Sequence, residues 1–404
     1  MIAYEEAIGE VLRWAKPLGD ELVALEDAVG RVLSRDVEAP RAVPHFDSSA
    51  VDGFAVGAGA LGTSQNVRLR VSATVRAGDT RIPRLAENHA IRIFTGAALP
   101  SGTRAVVMQE RCTLRDGIVR IAGLTPEGEN IRRAGAEFRK GDRVFPSGTA
   151  VTPPVAGMLA VLGRATVRVH RLPAVTLLVT GDELRRPGER VRPGEVYDAN
   201  SVALRAALSR WIVGRVRVLA VKDSAAAVRA GFSRALSDSD VVISVGGVSV
   251  GEFDFVRQAA VAQGVRIRFW KVAMKPGKPV MFGTRGRTVV FGLPGNPVAA
   301  MLGAALFVLP ALRRLSGSAT SPTTMRTAVL AEPVHKKPGR AEFVRARLAI
   351  DRTGRATVVP TKRQESHQLS GLAAADCLVY VPLESSGLEA GASVSILPLP
   401  WSEA

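Results

Sequence analysis

Two periodicities divide this chain. At its start apolar residues recur with helical spacing. Tyr4, Ile8, Val11 and Leu12 share one face of "YEEAIGEVLRWA", and Leu25, Val29 and Leu33 repeat the arrangement in "LEDAVGRVLSRDV". Residues 1–40 therefore predict two amphipathic helices. Proline, acids and small residues break the pattern in "RAVPHFDSSAVDGFAV". From about residue 65 to 140 the text is strand-like: "VRLRVSATV", "HAIRIFTG", "TRAVVMQE", "GIVRIAG". These runs predict a small β-rich domain. A helix, "VAGMLAVLG", and a strand, "ATVRVH", follow. They are expected to pack back on the N-terminal helices as one domain made from two chain segments.

From residue 174 strands and helices alternate. "AVTLLVTG", "GRVRVLAV", "DVVISV", "VRIRFWKVA" and "RTVVFGL" read as strands. "SVALRAALSRWI", with Leu204, Leu208, Trp211 and Ile212 on one stripe, reads as a helix, as do "AAAVRAGFSRAL", "FDFVRQAAVAQ" and "NPVAAMLGAALFVLPALRRL". Such alternation predicts a parallel sheet with helices on both faces. The apolar run 296–312 contains Pro297 and Pro310 and is short for a membrane span, so a buried helix is expected. Short strands then return in "RTAVLAEPV", "EFVRARLAI", "ATVVP", "CLVYVPL" and "ASVSILPLP". The expected division is 1–43 with 141–173, then 44–140, 174–320 and 321–404.

Composition narrows the class. Hydrophobic content of 47% and charge of 23% over 404 residues suit a soluble multidomain protein. Glu5 and Glu6 stand where a secretory signal would be basic, and Cys112 and Cys377 fit no metal or disulfide framework. A cytoplasmic setting is expected. Five scattered histidines without HExxH argue against a histidine-built zinc site. The net charge of +17 raises nucleic-acid binding, but 45 arginines spread over the whole length and aromatics reach only 5%, so stacking platforms are scarce. The expectation is no nucleic acid and no membrane. Lysine is informative for its scarcity: three of nine, Lys271, Lys275 and Lys278, fall within "KVAMKPGK". A chain that defaults to arginine keeps lysine where a compact point charge is wanted.

In an open α/β sheet, ligands bind at the carboxyl ends of the strands. Those ends carry "TGDEL" with Asp182 and Glu183, "VKD" with Asp223, "GGVSVGEFD" with Gly246, Gly247, Glu252 and Asp254, "KPGK", and "GLPGNP" with Pro294 and Asn296. Asn296 is expected to N-cap the following helix, with Pro297 at its first position. Glycine lets backbone amides approach an anion, and carboxylates beside such a site suit a divalent cation bridging phosphate oxygens. The rim therefore fits a phosphorylated or nucleotide-bearing ligand. A rival is the G-x-S-x-G pattern at Gly247, Ser249 and Gly251, which matches a hydrolase nucleophile elbow. Its helix would start too late, and no oxyanion motif accompanies it. A chain that binds or scaffolds without turnover is the other alternative.

Seven stretches in order, "PHFDSSAVDGFAV", "IFTGAALPSGTRAVVMQE", "TGDEL", "GEVYDANS", "SVGGVSVGEFDFV", "KVAMKPGKPVMFG" and "GLPGNPVAAML", resemble the signatures of the MoeA family of molybdopterin molybdenumtransferases, which is similar to the E domain of gephyrin. The resemblance covers nearly the whole chain. It implies a homodimer of four-part subunits: a discontinuous first domain, a β-rich second, an α/β molybdopterin-binding third and a small C-terminal β-barrel. It implies that molybdate is inserted into adenylylated molybdopterin with release of AMP, using Mg2+ or another divalent cation. It also implies as partners the adenylylating enzyme and molybdoenzymes. Matched residue by residue, it assigns Asp52 and Thr95 to a partner subunit's site, and Glu183, Asp223 and Asp254 to an acidic set, with Asp223 and Asp254 on the metal. It implies that Gly246, Gly247, Ser249, Pro294 and Asn296 form the ligand cradle, and that Lys271, Lys275, Lys278 and Pro279 form the oxyanion pocket, faced by Arg345 and Ser366. The chain departs from the family pattern at Phe54, where a tyrosine is usual, and at Val245, where a serine is usual.

Overall fold

A computed structural model of the chain describes residues 1–62, 67–211, 213–247, 255–318, 325–350, 352 and 354–402. Two compact units emerge: Met1–Ser34 with Gly148–Thr152 and Val167–Ala404, and Arg35–Ser147 with Pro153–Thr166.

The larger unit is built on a six-stranded sheet. Its strands are β1 (Ala174–Thr180), β2 (Arg215–Val221), β3 (Val241–Val245), β4 (Arg266–Trp270), β5 (Met281–Arg285) and β6 (Thr288–Leu293), in the spatial order β2-β1-β3-β6-β5-β4. Strands β2, β1, β3 and β6 are mutually parallel, as the alternation predicts. Strand β5 was not read from the sequence. It runs antiparallel to both β6 and β4, joined to β6 by the tight Gly286 turn.

Burial follows the pleat. Leu177 and Val179 of β1 pack with Leu204, Leu208 and Leu302 in one core. Leu178, between them, faces Val228, Phe232 and Val242 in another. Both faces are thus apolar, which is why the central strands read as near-continuous hydrophobic runs. Asp198 caps the Ala199–Arg210 helix by accepting from the Ser201 amide at 2.9 Å. Ser224 caps Ala225–Leu236 through the Ala227 amide at 3.4 Å. Trp211 is buried beside Leu208, while Ile212 lies outside the described residues. The long apolar helix runs from Pro297 to Leu315 and is 89% buried over its most apolar window, with one wider π-helical turn, Ala304–Val308, ahead of Pro310. It is a core element, as expected.

The C-terminal strands close on themselves. Ala341–Ile350, Ala356–Pro360, Arg326–Leu330, Ser393–Pro398 and Cys377–Val381 pair in that order, and the last pairs again with the first. The ring is a five-stranded barrel around Val344, Ala346, Val358, Val379 and Ile396. A two-residue strand, Met274–Lys275, adds to the start of the first barrel strand, so the lysine loop is stitched to the barrel by backbone hydrogen bonds.

The N-terminal expectation needs correction. Tyr4–Trp14 is a helix, burying Tyr4, Ala7 and Val11. The second helix is absent: Asp20–Ala24 is a strand, and only Glu26–Ala28 makes a 3-10 turn. Gly30 takes a left-handed φ of +83°, which ends any helix, and Val32 and Leu33 then bridge to Ala150 and Val169. Long-range pairing outweighs a local helical pattern of only three residues.

The smaller unit carries a six-stranded sheet in the order Ala105–Met108, Gly53–Val56, His89–Ile93, Val67–Val75, Ile118–Ile121 and Cys112–Arg115. The helix Pro153–Val161 also belongs to it.

Candidate functional site

The chain leaves β1 toward β2 on one side and returns to β3 on the other, so a topological switch point lies at the carboxyl ends of β1 and β3. A cavity of about 610 Å³ opens there, lined among others by Thr180, Glu183, Tyr197, Asn200, Asp223 and His367. Gly246 and Gly247, at the end of β3, form its floor with φ of +87° and +62°. A Cβ on Gly246 would sit 2.7 Å from the Thr180 carbonyl oxygen, and one on Gly247 would sit 2.8 Å from Val256 Cγ2. Only glycine fits either position.

The cavity wall carries unmet polar demand. Thr180 Oγ1, Asn200 Oδ1 and Asp223 Oδ1 are buried and have no hydrogen-bond partner among the described residues. Such atoms cost free energy unless a ligand, ion or water meets them. Asp182 Oδ1 accepts from the Asp223 amide at 3.2 Å. Burial, then the Asp182 and Glu183 carboxylates, push the Asp223 carboxyl above its ordinary value. Ser224, not Asp223, caps the following helix, so the Asp223 side chain has no capping role. Among the described residues no group of three or more His, Cys, Asp or Glu side chains is already gathered as a metal cage.

A second cavity of about 250 Å³ shares Pro279, Pro294 and Asn296 with the first. Lys275, Lys278, Arg340, Gln364 and Ser366 also line it. Lys275 Nζ stands 3.5 Å from Glu342, the residue it pairs with across the short strand. Asn296 occupies the N-cap position with Pro297 after it, but its side chain makes no capping bond. It donates instead to Ser366 Oγ at 2.9 Å, and the Val298 amide donates to the Ser366 carbonyl at 3.1 Å. The barrel loop thus outcompetes the local cap and ties Ser366 to the α/β layer.

The remaining candidates sit elsewhere. Lys271 lines neither cavity; its ammonium lies 4.0 Å from the Trp270 ring centroid. Arg345 is fully buried, and its Nη2 donates to the carbonyls of Arg363 at 2.8 Å and Glu365 at 3.4 Å. It stands behind the segment that presents Ser366. Asp52 and Thr95 are in the smaller unit, where Asp52 Oδ1 accepts from the Thr95 amide at 2.8 Å and hydroxyl at 2.7 Å. Those bonds hold the Asp52 carboxyl below its usual value. Ser249, Glu252 and Asp254 lie outside the described residues. Sequence reasoning missed Thr180, Tyr197, Asn200, Arg340 and His367 as lining residues. "GEVYDANS" was the available signal for two of them, and nothing local marks His367, which arrives from the barrel.

Three family models match the chain in order: the MoeA N-terminal region (domains I and II) over residues 2–163, a probable molybdopterin binding domain over 176–314, and the MoeA C-terminal region (domain IV) over 327–399. The molybdopterin molybdenumtransferase of Haemophilus influenzae is 35% identical over 401 residues, covering 98% of each chain. The molybdopterin molybdenumtransferase 2 of Mycobacterium tuberculosis is 35% identical over 406 residues, again covering 98% of each. The crystal structure of the molybdopterin biosynthesis moeA protein from Pyrococcus horikoshii OT3 superposes with a TM-score of 0.84 at 28% identity, over 98% of this chain and 100% of that one.

Proposed function

The chain belongs to the MoeA family, and from that premise we propose that it is a molybdopterin molybdenumtransferase acting at the two adjoining cavities. Its substrates on this reading are adenylylated molybdopterin and molybdate, and its products are the molybdenum cofactor and AMP. The observation that carries the reading is the pairing of an acid-lined, polar-hungry cavity with a lysine-lined one, sharing Pro279, Pro294 and Asn296.

The larger cavity suits the pterin-nucleotide. The glycine turn lets backbone approach the diphosphate link, and Glu183 and Asp223 suit a hard divalent cation beside it. The raised Asp223 carboxyl and its unpaired Oδ1 fit such an ion, since carboxylates crowded together need a counter-charge. Mg2+ held by Asp223, together with Asp254, would neutralise charge on the phosphates as the link to AMP is hydrolysed. The smaller cavity suits an oxyanion: Lys275 and Lys278 supply point charges, and Ser366, anchored by Asn296, supplies a hydroxyl donor. Arg345 positions the Ser366 segment from behind. The short strand joining Met274–Lys275 to the barrel keeps the lysines and Ser366 in register.

The four-part division at 1–43 with 141–173, 44–140, 174–320 and 321–404 is kept as part of this reading; the closed barrel and the order of the family models support its last two parts. So is a cytoplasmic homodimer, with Asp52 and Thr95 serving the partner's site; two free cysteines agree with a reducing compartment. The test is reconstitution from purified protein, adenylylated molybdopterin, Mg2+ and molybdate. Molybdate-dependent AMP release, lost in Asp254→Ala, is expected. Tight ligand binding without release would leave a binding or scaffold protein. Mixing Asp52→Ala with Asp223→Asn subunits tests the dimer, because a mixed dimer keeps one complete site and regains activity.

A further inference from the structure

Asn200 has no assigned part in this reaction, yet its side chain is oriented with little freedom. Its Nδ2 donates to the Gly295 carbonyl at 2.6 Å. That bond decides which end of the amide is which, since an oxygen at that distance from a carbonyl oxygen would be repelled. Asn200 Oδ1 is therefore the free end, and it is buried, without a partner among the described residues, on the wall of the larger cavity. A phosphate or carboxylate cannot satisfy an acceptor; an N–H or O–H can. Tyr197, three residues earlier, lines the same cavity. Its hydroxyl is tied to the Glu189 carbonyl at 2.9 Å while half of the residue stays exposed, which leaves the ring available as a flat apolar platform. Asn200 itself sits in the first turn of a helix capped by Asp198, so it is held on a rigid element.

We propose that Asn200 is a specificity-determining residue, whose Oδ1 accepts an N–H from a fused planar heterocycle of the substrate while Tyr197 receives the ring face. The inference rests on the reading above, since adenylylated molybdopterin carries two such heterocycles, adenine and pterin. A site built around a hydrogen-bond acceptor discriminates strongly against analogues that lack the donor.

The test compares ligand pairs that differ in that donor. AMP is set against purine riboside 5′-monophosphate, which lacks the amine, and pterin against unsubstituted pteridine, which carries no N–H. Affinities are measured by calorimetry or competition for the wild-type protein, Asn200→Leu and Asn200→Ala, so no turnover is needed. Wild type should prefer the donor-bearing member of one pair by about tenfold or more, and both variants should reduce that preference to about twofold. The pair that responds identifies the heterocycle. The ratio is the readout because losing the Gly295 contact weakens both members alike. Equal ratios in wild type and variants for both pairs, or no preference in wild type, overturns the proposal. Failure of the transferase reading shows separately, as absent AMP release by the wild-type protein.

Discussion

Gly246→Ala probes the turn that lines the larger cavity, where both the backbone conformation and a close contact oppose a side chain. The φ of +87° is outside the regions open to alanine, for a backbone penalty of about 1–2 kcal/mol. The added Cβ would lie 2.7 Å from the Thr180 carbonyl oxygen and 3.1 Å from its hydroxyl. Thr180 is fixed in the sheet opposite Val221, so the strand cannot yield and the turn must move. Forced overpacking of this kind adds about 1–3 kcal/mol, for a total of about 2–5 kcal/mol. Gly286→Ala is the matched control: it also has a left-handed φ, +57°, but nothing lies within 4 Å of the new Cβ. It should lose only about 1 kcal/mol. The four tryptophans, Trp14, Trp211, Trp270 and Trp401, all belong to the larger unit, so fluorescence in urea follows that unit alone. Gly246→Ala should unfold at clearly lower urea than Gly286→Ala and bind the pterin-nucleotide less tightly. Equal midpoints would refute the steric argument.

Other outcomes follow from the same geometry. Asp223→Asn should abolish cation-dependent AMP release while leaving the cation-free fold as stable or more stable, because the ionised carboxylate is disfavoured by burial and by Asp182 and Glu183; thermal melts without Mg2+ check this. In the wild type, cation affinity should fall as pH drops through the raised Asp223 pKa, and calorimetric titration across pH should show it. Lys275→Met and Lys278→Met should each raise the molybdate concentration needed for half-maximal release by about tenfold or more, with the pterin-nucleotide still bound. At Asp240 burial pushes the carboxyl up, but two bonds from Arg171, at 2.9 and 2.7 Å, and one from the Ala174 amide, at 2.8 Å, more than offset it. Its folded pKa is depressed, so its stabilisation holds above the ordinary value of 3.8 and is lost as pH falls through the folded value. Asp240→Asn should flatten that acid limb in a urea-unfolding series across pH.

What the sequence made legible follows physical locality. Strands β1, β3 and β6 and the helices between them were readable because burial on both faces writes continuous apolar runs between caps. That Glu183, Asp223, Gly246 and Gly247 gather at one cavity was readable because the strand-end rule needs only an element boundary. Arg345 was readable as a candidate, but its burial behind Arg363 and Glu365 could not be seen in a strand of alternating residues. Strand β5 was hidden because only Met281 and Phe282 precede Gly283 in it, and it shares no pattern with its parallel neighbours. The helix expected over 25–37 failed because a backbone pairing to residue 169 has no local trace.

The same distinction explains the site itself. The bond from Asn296 to Ser366 and the shared wall of the two cavities bring together residues 70 positions apart, from layers that the sequence presents as separate domains. The consequence is mechanistic. The groups that would hold the oxyanion are divided between the α/β layer, with Lys275 and Lys278, and the barrel loop, with Ser366. Since Lys275 is also paired to the first barrel strand, any shift of the barrel would move the lysine and the hydroxyl together. On the proposed reading the smaller cavity would then keep its shape as a piece, while the acid-lined cavity beside it would accommodate a ligand of changing length as AMP departs.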